Sequence, residues 1–116
     1  MKHIVVFDFD GVIHSYKSGW KGATEIPDPP VPGIKEAIDK ISENFCVVVV
    51  STRCASPGGT EAIKDWLDKH GIIVEDIVVE KPPAVCYVDD RAICFDGNAA
   101  ALPDLIENFK AWWEHQ

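Results

Sequence analysis

Two aspartates stand two apart at Asp8 and Asp10, a second pair is adjacent at Asp89 and Asp90, and Ser51 and Lys81 fall between them in the chain. Four carboxylates brought together repel one another, and a folded chain keeps such a group only if a metal ion or a proton relieves the repulsion. One Mg²⁺ and one lysine largely balance the charge, and Mg²⁺ prefers a few carboxylates, waters and phosphate oxygens. An acidic pocket with a free lysine and a hydroxyl therefore suits a phosphate ester. An aspartate can act as nucleophile and carry the phosphoryl group as an aspartyl phosphate, with Asp10 placed to serve as acid and base. Taken alone, an Asp-x-Asp pair is weak, because a solvated loop after a strand carries such residues too.

These side chains have to be positioned, and each stands at or just beyond an apolar run. Residues 4–7, IVVF, read as a strand covered on both faces, and its continuation would point Asp8 and Asp10 the same way before Gly11 frees the chain to turn. Residues 45–50, FCVVVV, read as a second strand ending at Ser51, Thr52 and Arg53. A third, within 72–79, precedes Lys81; a fourth, 85–88, runs into Asp89-Asp90-Arg91; and 93–95 reads as a short fifth. Between them, Ile34, Ala37, Ile38 and Ile41 carry the stripe of a core-facing helix, Ile63, Trp66 and Leu67 mark a second that stops at Gly71, and His70 sits in its last turn facing solvent. A last helix from about Pro103 aligns Leu105, Ile106, Phe109, Trp112 and Trp113, with the two tryptophans expected in the core or at an oligomer contact. Alternating strands and helices predict an α/β, Rossmann-like three-layer sandwich around a mostly parallel sheet of about five strands, and such sheets bind ligands beyond the C-terminal ends of their strands. One crevice then gathers all the candidate residues.

Residues 12–32 hold Gly19, Gly22, Pro27, Pro29, Pro30 and Pro32 and form a long flap, whose His14, Tyr16, Lys17, Trp20 and Lys21 either touch a ligand or merely cover the core. With 116 residues the chain is one domain, 1–116. The net charge of −8 disfavours a broad phosphate-tracking surface. No apolar run reaches the length of a membrane span and no signal peptide leads the chain, so the expected setting is cytoplasmic, with no membrane partner. Cys46, Cys54, Cys86 and Cys94 match neither zinc nor disulfide spacing and read as buried thiols.

The candidate residues also carry a resemblance. FDFDGVI resembles the first motif of the haloacid dehalogenase (HAD) superfamily of phosphohydrolases, Ser51 in VVVVSTR the second, Lys81 in EKPP the third and YVDDRA the fourth, in that order and over nearly the whole chain. The resemblance implies that Asp8 is the nucleophile and that Asp10 protonates the leaving oxygen and then activates water. It further implies Mg²⁺ held by Asp8, the backbone carbonyl of Asp10 and the pair Asp89 and Asp90, with Asp90 favoured as the direct ligand. Ser51 would hydrogen-bond the phosphoryl oxygens, with Thr52 as the alternative hydroxyl, and Lys81 would neutralise the phosphorylated intermediate. A response-regulator receiver also clusters aspartates with a lysine, but in a different order.

Members of that superfamily usually insert a cap after the first or third motif. Neither slot holds one here, because residues 12–32 are too few and Lys81 and Asp89 are eight apart. A small capless phosphatase has an open cleft that admits a phosphate on something large, or it needs a neighbouring subunit to exclude water, so a homo-oligomer is among the expected partners. The tripeptides at 51–53 and 89–91 are similar to those of polynucleotide 3′-phosphatases, which would set Arg53 and Arg91 on the phosphate of a nucleotide or nucleic-acid end rather than a small metabolite. A non-catalytic domain that binds a phosphorylated ligand is the alternative of a different class.

Overall fold

Hydrophobic patterning decides the frame. The structure, a computed structural model, describes residues 2–115. Strand β1 is His3–Asp8, followed by helix α1 (Ile34–Ile41), β2 (Phe45–Val50), α2 (Gly59–Lys69), β3 (Asp76–Val78), β4 (Cys86–Val88) and α3 (Leu102–Glu107). The sheet is parallel throughout, in the order β3-β2-β1-β4. β1 and β2 pair over their full length, from His3 beside Phe45 to Asp8 beside Val50, so the acidic end of one strand lies level with the polar end of the other.

The first two crossovers step in the same direction, from β1 to β2 to β3, and one handedness puts both helices on one face. There Val5, Phe7, Val47 and Val49 pack with Ile38 of α1 and Ile63, Trp66 and Leu67 of α2. Each such side chain, when fully buried, stabilises by roughly 1.5–3 kcal/mol. Gly59 opens α2 because nothing larger fits: a Cβ there would overlap the carbonyl of Arg53.

The other face is built differently. Val6, Val48 and Val50 are buried with Ile4, Cys46, Val78 and Ala84 around them, and no helix residue belongs to that cluster among the described residues. The reason is the link 79–85, which returns from β3 to β4 on the far side of β1 and is too short for the usual crossover helix. An extended segment takes the place of the second helical layer, and Val85 donates its backbone N–H to Ile4 O at 2.9 Å.

The expectations at the C-terminal end therefore need correction. The sheet has four strands among the described residues, and 93–95 is irregular because β4 is itself a three-residue edge with nothing beyond it to pair. Helix α3 ends at Glu107 rather than continuing to the tryptophans, and Leu105 and Ile106 are exposed. Cys86 and Cys94 are exposed and Cys46 and Cys54 half-buried, all four free, so the expected buried thiols are not found. His70 is half-buried, its ring 4.4 Å from that of Trp66, rather than free in solvent. Among the described residues no helix is long and apolar enough to cross a membrane.

Candidate active site

In the order β3-β2-β1-β4 the connections leave β1 toward β2 and later return to its other side, so the switch point lies between β1 and β4. Asp8 ends β1, and Asp89 and Asp90 follow β4. One carboxylate oxygen from each of the three lies within 4.8 Å of the others. A cleft of about 480 Å³ opens beside them, lined by Asp8, Ser51, Thr52, Lys81, Asp89 and Arg91 among others.

Burial, then the close approach of the Asp90 carboxyl and the negative charges of Asp89 and Asp90, push the Asp8 carboxyl up to about 7. Asp89 goes the other way. Burial alone would raise it, but the backbone N–H of Arg91 at 2.9 Å and the Lys81 ammonium at 3.1 Å outweigh that and hold it below the ordinary range. Asp90 accepts one hydrogen bond on Oδ2, from the indole of Trp113 at 2.7 Å, while its Oδ1 is buried without a partner. An all-oxygen donor set, an unpartnered buried carboxylate oxygen and an Asp8 carboxylate penalised by its neighbours' charge fit a hard divalent cation such as Mg²⁺.

Ser51 is buried at the end of β2, where its hydroxyl accepts the backbone N–H of Arg53 at 3.1 Å and caps a short 3₁₀ turn, Thr52–Ala55. Thr52 beside it is exposed.

Asp10 and Arg53 depart from expectation. The ladder ends at Asp8, and the next residues wind so tightly that the N–H groups of Val12, Ile13 and His14 all point at the Phe9 carbonyl. Asp10 does not share the cleft lining with Asp8. Its Oδ2 accepts from Arg53 Nε at 2.8 Å, and its Oδ1 from Arg53 Nη2 at 3.1 Å and His14 Nδ1 at 2.8 Å. Burial would raise its pKa, but these hydrogen bonds and charges prevail and hold the carboxyl below the usual range. Asp10 is an ionised anchor.

Arg53 is fully buried and is not free to bind phosphate. Its Nη1 donates to the carbonyls of Gly22, Ala23 and Glu25, and its guanidinium lies 4.6 Å from the Trp20 ring. A guanidinium is well suited to this, since its donors spread in a plane and its face stacks on an aromatic ring. The flap is thereby wrapped around the arginine that follows the second strand. Arg91 alone of the two arginines lines the cleft.

His14, read from sequence as a flap residue that either touches a ligand or covers the core, is fully buried. Its Nε2 accepts the backbone N–H of Asp28 at 3.1 Å, so the ring proton sits on Nδ1 and is donated to Asp10. Asp28 in turn accepts from the Ser18 backbone and hydroxyl, and its carbonyl accepts the Trp66 indole at 3.2 Å. The one signal available for Asp28 was its place among Pro27, Pro29 and Pro30, which lack backbone donors and leave local bonding to the side chains between them. Tyr16 sits between the His14 and Trp113 rings, and no sequence pattern announced the tryptophan at Asp90.

No family model matches this chain, and no curated protein does. A crystal structure of a structural-genomics target from Vibrio cholerae matches with a TM-score of 0.52 and 23% identity, over 95% of this chain and 100% of that one. At that identity the likeness concerns the fold alone, and the description of that target states no activity.

Proposed function

We propose that this chain is a Mg²⁺-dependent, capless phosphatase of the HAD kind, which hydrolyses a phosphate monoester through an aspartyl phosphate on Asp8. The observation that carries the reading is the convergence of Asp8, Asp89 and Asp90 at the switch point, with Ser51 and Lys81 lining the adjoining cleft. Asp8, Asp89, Asp90 and the backbone carbonyl of Asp10 would hold the ion. When bound, it supplies positive charge that neutralises the crowded carboxylates and the phosphoryl oxygens.

Asp8 forms the new bond to phosphorus as the ester P–O bond breaks and the leaving oxygen departs with the bonding pair. Ser51 and Lys81 hold the phosphoryl oxygens, where charge develops. Water then attacks the aspartyl phosphate, the bond to Asp8 breaks, and inorganic phosphate leaves. Asp10, held ionised by Arg53 and His14, suits the second step, taking the proton from water. The same contacts disfavour it as donor to the leaving oxygen, so esters whose leaving group needs no protonation should react fastest.

A small phosphate ester is favoured over a nucleic-acid end, because the latter reading counted on both Arg53 and Arg91 and Arg53 is bound inside the protein. The test is phosphate release from an aryl phosphate and from a 3′-phosphorylated oligonucleotide, with Mg²⁺ and with chelator. Mg²⁺-dependent turnover of the aryl ester, lost by several orders of magnitude in Asp8→Asn, is expected. Undiminished turnover in that variant would sink the nucleophile assignment, and binding of phosphate without turnover would favour the non-catalytic domain.

A further inference from the structure

The last tryptophans are neither core nor, among the described residues, part of a helical stripe. After α3 the chain turns back, Ala111 is buried, and a 3₁₀ turn, Trp112–His115, closes on itself: Glu114 donates its N–H to Ala111 O at 3.0 Å, and its carboxylate accepts the Ala111 N–H at 2.6 Å. This turn sets two indoles on the switch point. Trp112 Nε1 donates to the carbonyl of Gly11 at 2.7 Å, and Trp113 Nε1 donates to Asp90 Oδ2 at 2.7 Å. One indole thus grips the turn after β1 and the other the carboxylate after β4.

The fit is close. Gly11 has φ +82, and a Cβ on it would overlap Asp90 Oδ2 and crowd the Trp113 indole nitrogen at 2.9 Å. Tyr16 packs edge-on against Trp113, with ring centroids 5.8 Å apart. The torsion that orients an aspartate carboxylate is broad and roughly two-fold, so a lone Asp90 would sample several orientations. The indole donor selects one, and it occupies Oδ2 while Oδ1 stays buried and without a hydrogen-bond partner.

We propose that Trp113 is a positioning residue for the divalent-cation site, its indole N–H fixing Asp90. This rests on the metal-dependent reading above and adds to it a role for a segment that no motif includes. Hydrogen-bond partners of ligating carboxylates typically contribute 10–100-fold to metal affinity or activity.

The experiment is a calorimetric titration of the full chain with Mg²⁺, comparing wild type with Trp113→Phe, which keeps a ring against Tyr16 and removes the donor. Affinity about 10-fold weaker in the variant is expected, together with a matching rise in the Mg²⁺ needed for half-maximal aryl phosphate turnover and a near-normal rate at saturation. Equal affinity overturns the inference alone, and so does tighter binding, which would make the indole a block. If wild type binds no Mg²⁺, the inference falls together with the proposed function. Should the variant fold poorly, the wild-type indole N–H resonances decide: on adding Mg²⁺ the Trp113 signal should move most and that of Trp66, bonded to the Asp28 carbonyl, should stay. A Trp113 signal that does not move overturns the inference.

Discussion

On the helix-backed side of the sheet, Phe7, Phe9, Ile13, Ile38, Ile63 and Leu67 have 2% or less of their surface exposed, and a charged residue, Arg53, is as deeply enclosed as they are. Around β4 the order reverses. Cys86, Tyr87 and Val88 are all exposed, and so are nearly all the residues from 91 to 110. The crevice draws on both regions: Asp8 and Ser51 come from the enclosed one, Lys81, Asp89, Asp90 and Arg91 from the open one. The contrast teaches how the work divides. Asp8 and Asp10 are held from the enclosed side, Asp8 by the ladder with β2 and Asp10 by Arg53 and His14. The carboxylates opposite are held by a few polar contacts and have most to gain from a cation that binds the folded state.

The largest effect should come from Arg53→Met. Removing the guanidinium leaves the Asp10 carboxylate and the carbonyls of Gly22, Ala23 and Glu25 without their donors in a buried setting. Breaking a buried ion pair by deleting one partner costs about 3–5 kcal/mol, a large share of a small domain's stability. Urea unfolding should register that loss, and limited proteolysis should open residues 12–32 first, since they lose their central fastening. A loss below about 1 kcal/mol would mean that the enclosed region does not depend on its buried charge.

An intermediate effect belongs to Asp8, which lies where the regions meet. Its folded value of about 7 is above the ordinary 3.8, so between those values the folded chain keeps a proton that the unfolded chain has released. Stability must then fall as pH rises through that window. In chelator, wild type should melt higher at about pH 5.5 than at about pH 7.5, and Asp8→Asn should lose that difference. Asp10, Asp28 and Asp89 are held low and lose their contributions only in more acid solution. His70, held below 6.5 by burial, opposes the trend but does so equally in both proteins. Saturating Mg²⁺ should flatten the wild-type profile. The same pH slope in both proteins would show that Asp8 carries no such strain.

The two regions also differ in how far the sequence disclosed them. Residues 45–50 and the stripe Ile34, Ile38, Ile41 announced β2 and α1 because burial on the sheet rewards the very pattern that reveals it. Asp8, Ser51, Lys81 and Asp89 were legible for a related reason: strand ends are easy to find, and parallel sheets gather what stands there. Residues 93–95 and the line from Leu105 to Trp113 carried equally good patterns, yet among the described residues no neighbouring strand or opposing face rewards them. Arg53 was read as a phosphate-binding group and His14 as a flap residue touching a ligand or covering the core, and both turn inward. Their partners are backbone carbonyls and an Asp28 N–H supplied by the folded path of residues 12–32, which residue types do not encode.

The smallest effect on stability should come from Lys81→Ala, and it sets the sharpest contrast with Arg53. Both cations bond an aspartate that follows a strand, at 3.1 Å from Lys81 to Asp89 and 2.8 Å from Arg53 to Asp10. Lys81, however, has half its side-chain surface in water, and water replaces the bond when it is lost. Such exposed pairs contribute about 0–1 kcal/mol, so the unfolding midpoint should scarcely move. Turnover is another matter. Under the proposed mechanism Lys81 would face the developing charge of the phosphoryl group, and removing such an electrostatic donor lowers kcat by about 10²–10³-fold. Unfolding and steady-state kinetics on the one variant therefore separate the two regions. A large loss of stability would mean that the open side is as tightly organised as the enclosed one. An unchanged kcat would remove Lys81 from the phosphoryl site and leave Arg91 as the cation lining the cleft.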